Sequence, residues 1–353
     1  MRTVTFSPGP SKVYDRMPIY LQEAFDIGIL SANHRSVMFM DLYKETETLM
    51  QEKLGMPEGY KLLFTSSATE NWEILSQSLV QSASYHIFSG SFGKKWFEYA
   101  KHIIPASDAL KIEADEVIDV PSLSIGEAFD LIAITQNETS NATQVSMETI
   151  EAIKEKYPEK MIAVDTTSSM AGIALDFRLA DVWYASVQKC FGLPAGLGVL
   201  ILSPKAIAKI HDKGERGRYN SLSFMLENAQ NYQTHYTPNV LGIYLLKRVL
   251  QDMPEIHLVD QKTRERMRRL EQIVAFTSKL SMLVSNPAAR SQTVLAISGK
   301  EEFIASVKKD AEKEGMQLGS GYGPLKPTSF RIANFPAINE EEFEKLLTFL
   351  KAY

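Results

Sequence analysis

Apolar residues along this chain fall into two alternating spacings. Short, nearly continuous apolar runs, KLLFT, SYHIF, FDLIAIT, MIAVD and DVWYAS, are separated by stretches such as ENWEILSQSLV and VSMETIEAIKEKYP, where apolar residues recur every three to four positions. Continuous runs predict strands buried on both faces and the longer spacing predicts helices, so the pattern reads as strand-then-helix repeats. Such alternation implies a mostly parallel sheet with helices on both faces. Ahead of it, PIYLQEAFDIGIL and Met40 to Leu54 read as helices, and FSPGP, Phe6 to Pro10, is too rich in proline to be one. After Lys205 the chain turns helical, Pro238 marks a helix start, and Glu255 to Leu280 reads as one long helix. The tail alternates differently, with SMLVSN, TVLAIS and SFRIANF as strands and EEFIASVKKDAEKEG and EEEFEKLLTFLKAY as helices. The expected architecture is α/β, with a large domain over residues 15–252 and a small α+β domain made from 1–14 and 253–353.

Composition narrows the function classes. The 353 residues are 44% hydrophobic and 23% charged, enough for a large core. A formal net charge of −5 argues against a nucleic-acid partner, which would require a basic face. Cys190 is the only cysteine, so neither an intrachain disulfide nor a zinc cluster is expected, and a reducing compartment suits the chain. The N-terminal run has no apolar signal core and no segment approaches the ~20 apolar residues of a membrane span, so no membrane partner and a cytoplasmic location are expected.

The candidate chemistry sits where strands end. VWYASVQK delivers Lys189 into a turn containing Gly192, Pro194, Gly196 and Gly198, which lets backbone approach a ligand closely. Burial near other cations would leave a neutral, nucleophilic amine able to form a Schiff base; the other reading is an ammonium in water. Asp165 ends the preceding strand. A fixed aspartate is what keeps the ring nitrogen of pyridoxal phosphate protonated, although it could equally cap a helix. The turn SSATEN opens a helix near Thr69, where free N–H groups and the hydroxyls of Ser67 and Thr69 suit a phosphate, or simply cap the helix. Phe92, between two glycines, can stack on a planar ring or fill the core. His34 and Arg35 form a compact anion site or a solvated loop, and Arg331, flanked by Phe330 and Ile332, binds an anion or makes a structural ion pair. Thr69, Phe92, Thr139, Asp165 and Lys189 all fall at strand ends, where ligands of such sheets gather.

Taken in order, FSPGP, NHRS at 33–36, SATE at 67–70, GSFG at 90–93, NET at 137–139, VD at 164–165, QK with its glycine-rich loop at 188–198, YTP at 236–238 and FRIANF at 330–335 resemble the class V group of fold-type-I pyridoxal-phosphate-dependent aminotransferases, and within it the branch acting on phosphoserine. The resemblance spans nearly the whole length. It implies the PLP-dependent transferase fold, pyridoxal 5′-phosphate as cofactor, no metal, small amino and 2-oxo acid substrates, and a homodimer with shared active sites. Residue by residue it implies that Lys189 carries the cofactor and moves the proton, Asp165 holds the ring nitrogen, Phe92 stacks on the ring and Thr139 bonds its phenolic oxygen. Ala68, Thr69 and Gln188 would hold the cofactor phosphate, joined by Tyr236 and Thr237 of the second subunit. Arg331 would grip the substrate α-carboxylate, and His34 and Arg35, again from the second subunit, the substrate phosphate. Two departures point to an alternative, transamination of the alanine-glyoxylate or serine-pyruvate type: SSATEN replaces a glycine-rich turn containing arginine, and GYGPLKPTSFR leaves Lys326 as the one cation before Arg331, a point charge that would bind substrate in place of a bidentate arginine.

Overall fold

A computed structural model describes residues 3–353. In chain order its strands are β1 (Val4–Phe6), β2 (Lys61–Thr65), β3 (Ser84–Phe88), β4 (Asp108–Lys111), β5 (Leu131–Thr135), β6 (Asn137–Glu138) and β7 (Thr143–Gln144). They continue with β8 (Met161–Asp165), β9 (Val182–Ser186), β10 (Gly198–Leu202), β11 (Leu280–Met282), β12 (Val294–Gly299), β13 (Met316–Ser320) and β14 (Ser329–Ala333).

Seven strands form the large sheet, in the order β2-β10-β9-β8-β5-β3-β4. From β9 to β4 they run parallel, while β10 is antiparallel to both β9 and β2. The reversal follows from chain length: only the turn after Ser186 separates β9 from β10, too short for the crossover that a parallel pair requires. All five residues of each of β5, β8, β9 and β10 are buried, which is why their sequences are continuous apolar runs rather than alternating ones.

The second sheet has the order β1-β13-β14-β12-β11. Its β1 comes from the chain start and lies parallel to β13; the other pairs are antiparallel. Phe6 joins residues from Met267 onward in a hydrophobic cluster of this sheet, which also takes in Ala142 and Cys190 from the segments that follow β6 and β9. Beyond β1 the N-terminal run is pinned to the turn after β9, with Ser11 N–H donating to Gln188 O at 3.0 Å and Tyr14 N–H to Gly192 O at 3.1 Å.

Helix limits shift from the expected ones for local reasons. The long helix is Ile256–Phe276: Thr277 is extended and its hydroxyl turns back to Val274 O at 2.8 Å, leaving Leu280 to open β11. The helix expected from Met40 begins at Val37, because the Ser36 hydroxyl accepts Phe39 N–H. Asn239, rather than Pro238, caps the Val240–Asp252 helix by accepting Gly242 N–H at 2.9 Å. Among the described residues no helix is long and apolar enough to cross a membrane, and no cluster of three or more His, Cys, Asp or Glu could hold a metal ion.

Candidate active site

The ends of β8 and β9, the starts of two helices and one strand of the small sheet converge on a cavity of about 240 Å³. Its walls include Ala68, Thr69, Phe92, Thr139, Asp165, Gln188, Lys189 and Arg331, so eight of the residues singled out from the sequence face one space. A larger cavity of about 410 Å³ beside β3 gathers none of them.

Lys189 stands in the turn after β9. It is buried, and its Nζ donates to Thr139 Oγ1 at 2.6 Å and lies 5.1 Å from the centre of the Phe92 ring. Burial pushes its pKa down to about 8, against the pull of Asp165 and Glu138 in the other direction. Near neutral pH it therefore has a far larger neutral fraction than a lysine in water, the form needed for nucleophilic attack. Thr139 is itself fixed, since its hydroxyl donates to Ser168 Oγ at 3.0 Å and Ser168 donates to Asn137 O at 2.8 Å.

Asp165 is the last residue of β8 and is buried. Its Oδ1 accepts Thr167 N–H at 2.9 Å. Desolvation raises its pKa above the usual carboxylate value, against the Thr167 N–H bond and the Lys189 charge, which lower it. A carboxylate so placed is stabilised by a cationic N–H donor across the cavity. Two cavity-lining residues, Thr167 and Trp72, also carry buried polar atoms without a partner, Oγ1 and Nε1. An enclosed space with an aromatic wall, an acid, an amine and unpaired polar atoms fits a planar, polar-rimmed heterocycle such as pyridoxal phosphate.

Phe92 is the second residue of the Ser91–Ile103 helix, whose N-terminus is held by Glu138. One Glu138 oxygen accepts Phe92 N–H and Gly93 N–H, both at 3.0 Å, and the other accepts Ser140 N–H at 2.9 Å. This contact explains Gly90: a Cβ there would lie 2.4 Å from Glu138 Cγ and 2.5 Å from Ser140 Oγ. Glu138 lies inside NET but was not singled out from the sequence; an acid three residues past the end of the buried strand LIAIT was the available signal. Tyr322 was also missed. Its ring lines the cavity with its centre 5.2 Å from that of Phe92.

At the start of the Ala68–Ser78 helix the expected cradle is narrower than its sequence suggested. Ser67 Oγ is engaged in capping Glu70 N–H at 3.2 Å, and Ala68 N–H donates to Ser186 Oγ at 2.6 Å. Thr69, exposed, and Gln188, half-buried, remain on the wall to receive an anion. On the opposite side Arg331, from β14, donates from Nε to Ser320 O at 2.8 Å and from Nη1 to Thr139 O at 2.7 Å. Among the described residues it makes no ion pair with a carboxylate, so a structural ion pair is not what holds it, and Nη2 is left for a ligand.

Five candidates are not in this lining. His34 and Arg35 stand in the loop before the Val37–Leu54 helix, Tyr236 and Thr237 in the loop before Asn239, and Lys326 just after the short helix Gly323–Leu325. Burial, and next the Arg35 charge, lowers the His34 pKa. Lys326 is exposed and outside the lining, on a surface turn next to Tyr322, which is on the wall.

The model of the class-V aminotransferase family matches residues 5–333. Phosphoserine aminotransferase from Rhodococcus opacus (strain B4) is 28% identical over 357 residues, which cover 97% of this chain and 92% of that protein. Among solved structures, a phosphoserine aminotransferase from Cytophaga hutchinsonii superposes with a TM-score of 0.95 at 32% identity, covering 99% of this chain and 98% of that one. Alanine-glyoxylate aminotransferase from Nostoc has the same fold, with a TM-score of 0.82 at 19% identity over 100% of this chain and 95% of that one.

Proposed function

The chain belongs to the class-V aminotransferase family, and we propose that it moves the amino group of glutamate to 3-phosphohydroxypyruvate, giving phosphoserine and 2-oxoglutarate in the cytoplasmic route to serine. The observation that carries this reading is the single cavity that places Lys189, Asp165 and Arg331 around one space. Residues 15–252 form the cofactor-holding lobe and 1–14 with 253–353 the smaller one.

Pyridoxal 5′-phosphate, when bound, supplies an electron sink that allows the substrate Cα–H bond to break. Asp165 keeps a proton on the ring nitrogen. Lys189, with its lowered pKa, anchors the cofactor and moves a proton at substrate Cα. With the cofactor bound, Phe92 would cover one ring face and Thr139 would bond the phenolic oxygen. Thr69 and Gln188 hold the phosphate, with Ala68, its N–H engaged by Ser186, lining the cradle, and Arg331 takes the substrate α-carboxylate with its unengaged nitrogen, a geometry suited to a planar fork.

His34, Arg35, Tyr236 and Thr237 complete the site from a second copy. Apolar side chains flank the His34–Arg35 loop in sequence, with Phe25 69%, Ile27 52%, Val37 69% and Met38 47% exposed, the kind of surface that a homodimer covers. The second reading, alanine-glyoxylate or serine-pyruvate transamination, is favoured by the exposure of Lys326 and by the SSATEN turn.

The test is a half-reaction: cofactor absorbance is followed after adding phosphoserine, glutamate, serine or alanine separately. Conversion by phosphoserine and glutamate, with Arg35→Ala slowing phosphoserine alone, supports the proposal. Preference for alanine or serine promotes the second reading.

A further inference from the structure

Lys95, one turn beyond Phe92, is an exposed cation held in a fixed place. Its Nζ donates to Tyr322 OH at 3.1 Å and lies 5.8 Å from the centre of the Phe92 ring and 5.7 Å from that of Tyr322. The ammonium therefore sits within cation–π distance of Phe92, while on Tyr322 it lies beyond the hydroxyl, near the ring plane, and is held by the hydrogen bond. Neighbouring Lys94 behaves differently, pairing with Glu98 at 3.4 Å, whereas Lys95 makes no ion pair with a carboxylate among the described residues. A positioned but uncompensated charge is a recognition element for an anion. The hydrogen bond from Lys95 leaves the Tyr322 hydroxyl proton free to be donated elsewhere.

The place of this pair decides its role. Tyr322 lines the cavity, and its ring centre is 5.6 Å from Arg331 Cζ. Lys189, Arg331 and Tyr322 all line the cavity, and Lys95, outside that lining, is joined to it through the Tyr322 hydroxyl. A substrate whose α-carboxylate is on Arg331 would direct the far end of its side chain toward that pair. The nearby acid Glu138 accepts backbone N–H from Phe92, Gly93 and Ser140, which offsets its charge. Lys95 is also a helix residue, so its Cα is better fixed than that of Lys326 on its surface turn.

We propose that Lys95, clamped by Phe92 and Tyr322, recognises the distal phosphate of the substrate, with the Tyr322 hydroxyl donating a second hydrogen bond. The proposal rests on the phosphoserine reading above and adds to it the residues of this same chain that select for the phosphate.

The test uses the cofactor-loaded enzyme and compares kcat/KM for phosphoserine with that for alanine in single-turnover half-reactions. In Lys95→Met the ratio falls about 10- to 100-fold, the value of one charge-assisted hydrogen bond, and Lys95→Arg restores most of it. Tyr322→Phe lowers the ratio by roughly 5-fold, a neutral hydrogen bond. Inorganic phosphate, a competitive inhibitor of wild type, loses potency in Lys95→Met. A ratio unchanged in both Lys95→Met and Tyr322→Phe overturns the assignment while leaving the phosphoserine reading intact. A wild-type enzyme that is inert toward phosphoserine but converts alanine refutes that reading, and the Lys95 proposal with it.

Discussion

Two walls of the same cavity are built to different degrees of completion. Around Lys189, Asp165, Thr139 and Phe92 the chain supplies its own supports: Thr139 fixes Lys189, Ser168 fixes Thr139, Thr167 holds Asp165 and Glu138 holds the turn of Phe92. Around Thr69 and Gln188 it does not, because Ser67 is engaged within the turn and Ala68 N–H by Ser186 of β9, and the loops of His34, Arg35, Tyr236 and Thr237 lie outside the lining. The difference teaches where a single chain is sufficient. The reactive wall is preorganised by one sequence, as electrostatic catalysis requires, and the anion-binding wall is the one our proposal completes with a second copy.

The contrast can be broken most severely at the finished wall. Lys189→Ala removes the amine and is expected to lower transamination by roughly 10⁴-fold, the upper range for a lost acid–base group, together with the absorbance of bound cofactor. Retained turnover in a stopped-flow assay would remove Lys189 from the mechanism.

A smaller, structural effect is expected at Gly90. In Gly90→Ala the added methyl meets Glu138 and Ser140 and is expected to cost about 1–3 kcal/mol, read as a lower urea midpoint. The same alanine at Gly28, where a Cβ meets nothing within 4 Å, encounters no such wall and suffers only from its left-handed backbone.

The mildest perturbation is pH. Below about 8 the neutral, attacking fraction of Lys189 shrinks as pH falls; above it most of the amine is neutral. The rate at which cofactor-free enzyme captures pyridoxal 5′-phosphate should therefore rise through pH ~8 and level off. A lysine in water would keep gaining rate toward its ordinary pKa of ~10.4. The same shift has a stability consequence. The folded pKa lies below the unfolded one, so the unfolded chain holds more protons between the two values and stability rises with pH across that window.

The sequence made some of this legible and hid the rest, for physical reasons. Strands buried on both faces, such as LIAIT and VWYAS, announce themselves as continuous apolar runs, and a charged residue closing such a run, as Asp165 does, stands out because charges avoid buried positions. The antiparallel setting of β10 was not visible, since burial on both faces erases the alternation that would have marked it. Glu138 was hidden because its partners are backbone N–H groups of Phe92 and Gly93, which carry no side-chain signature. Tyr322 was hidden by distance along the chain, since it meets Phe92 only through the packing of the small sheet on the large one. Where Lys326 points was not legible, because a turn residue has no periodicity to say which side it faces.

The central claim, a reactive wall from one chain completed by anion-binding residues of another, is tested most directly by mixing two inactive variants. Lys189→Ala and Arg35→Ala, each impaired alone toward phosphoserine, are unfolded together and refolded as a mixture. In a two-fold symmetric dimer with shared sites, half the sites of each mixed dimer regain both residues, so phosphoserine turnover should recover to about a quarter of wild type. A mixture that stays at the average of the two separate variants would contradict the account.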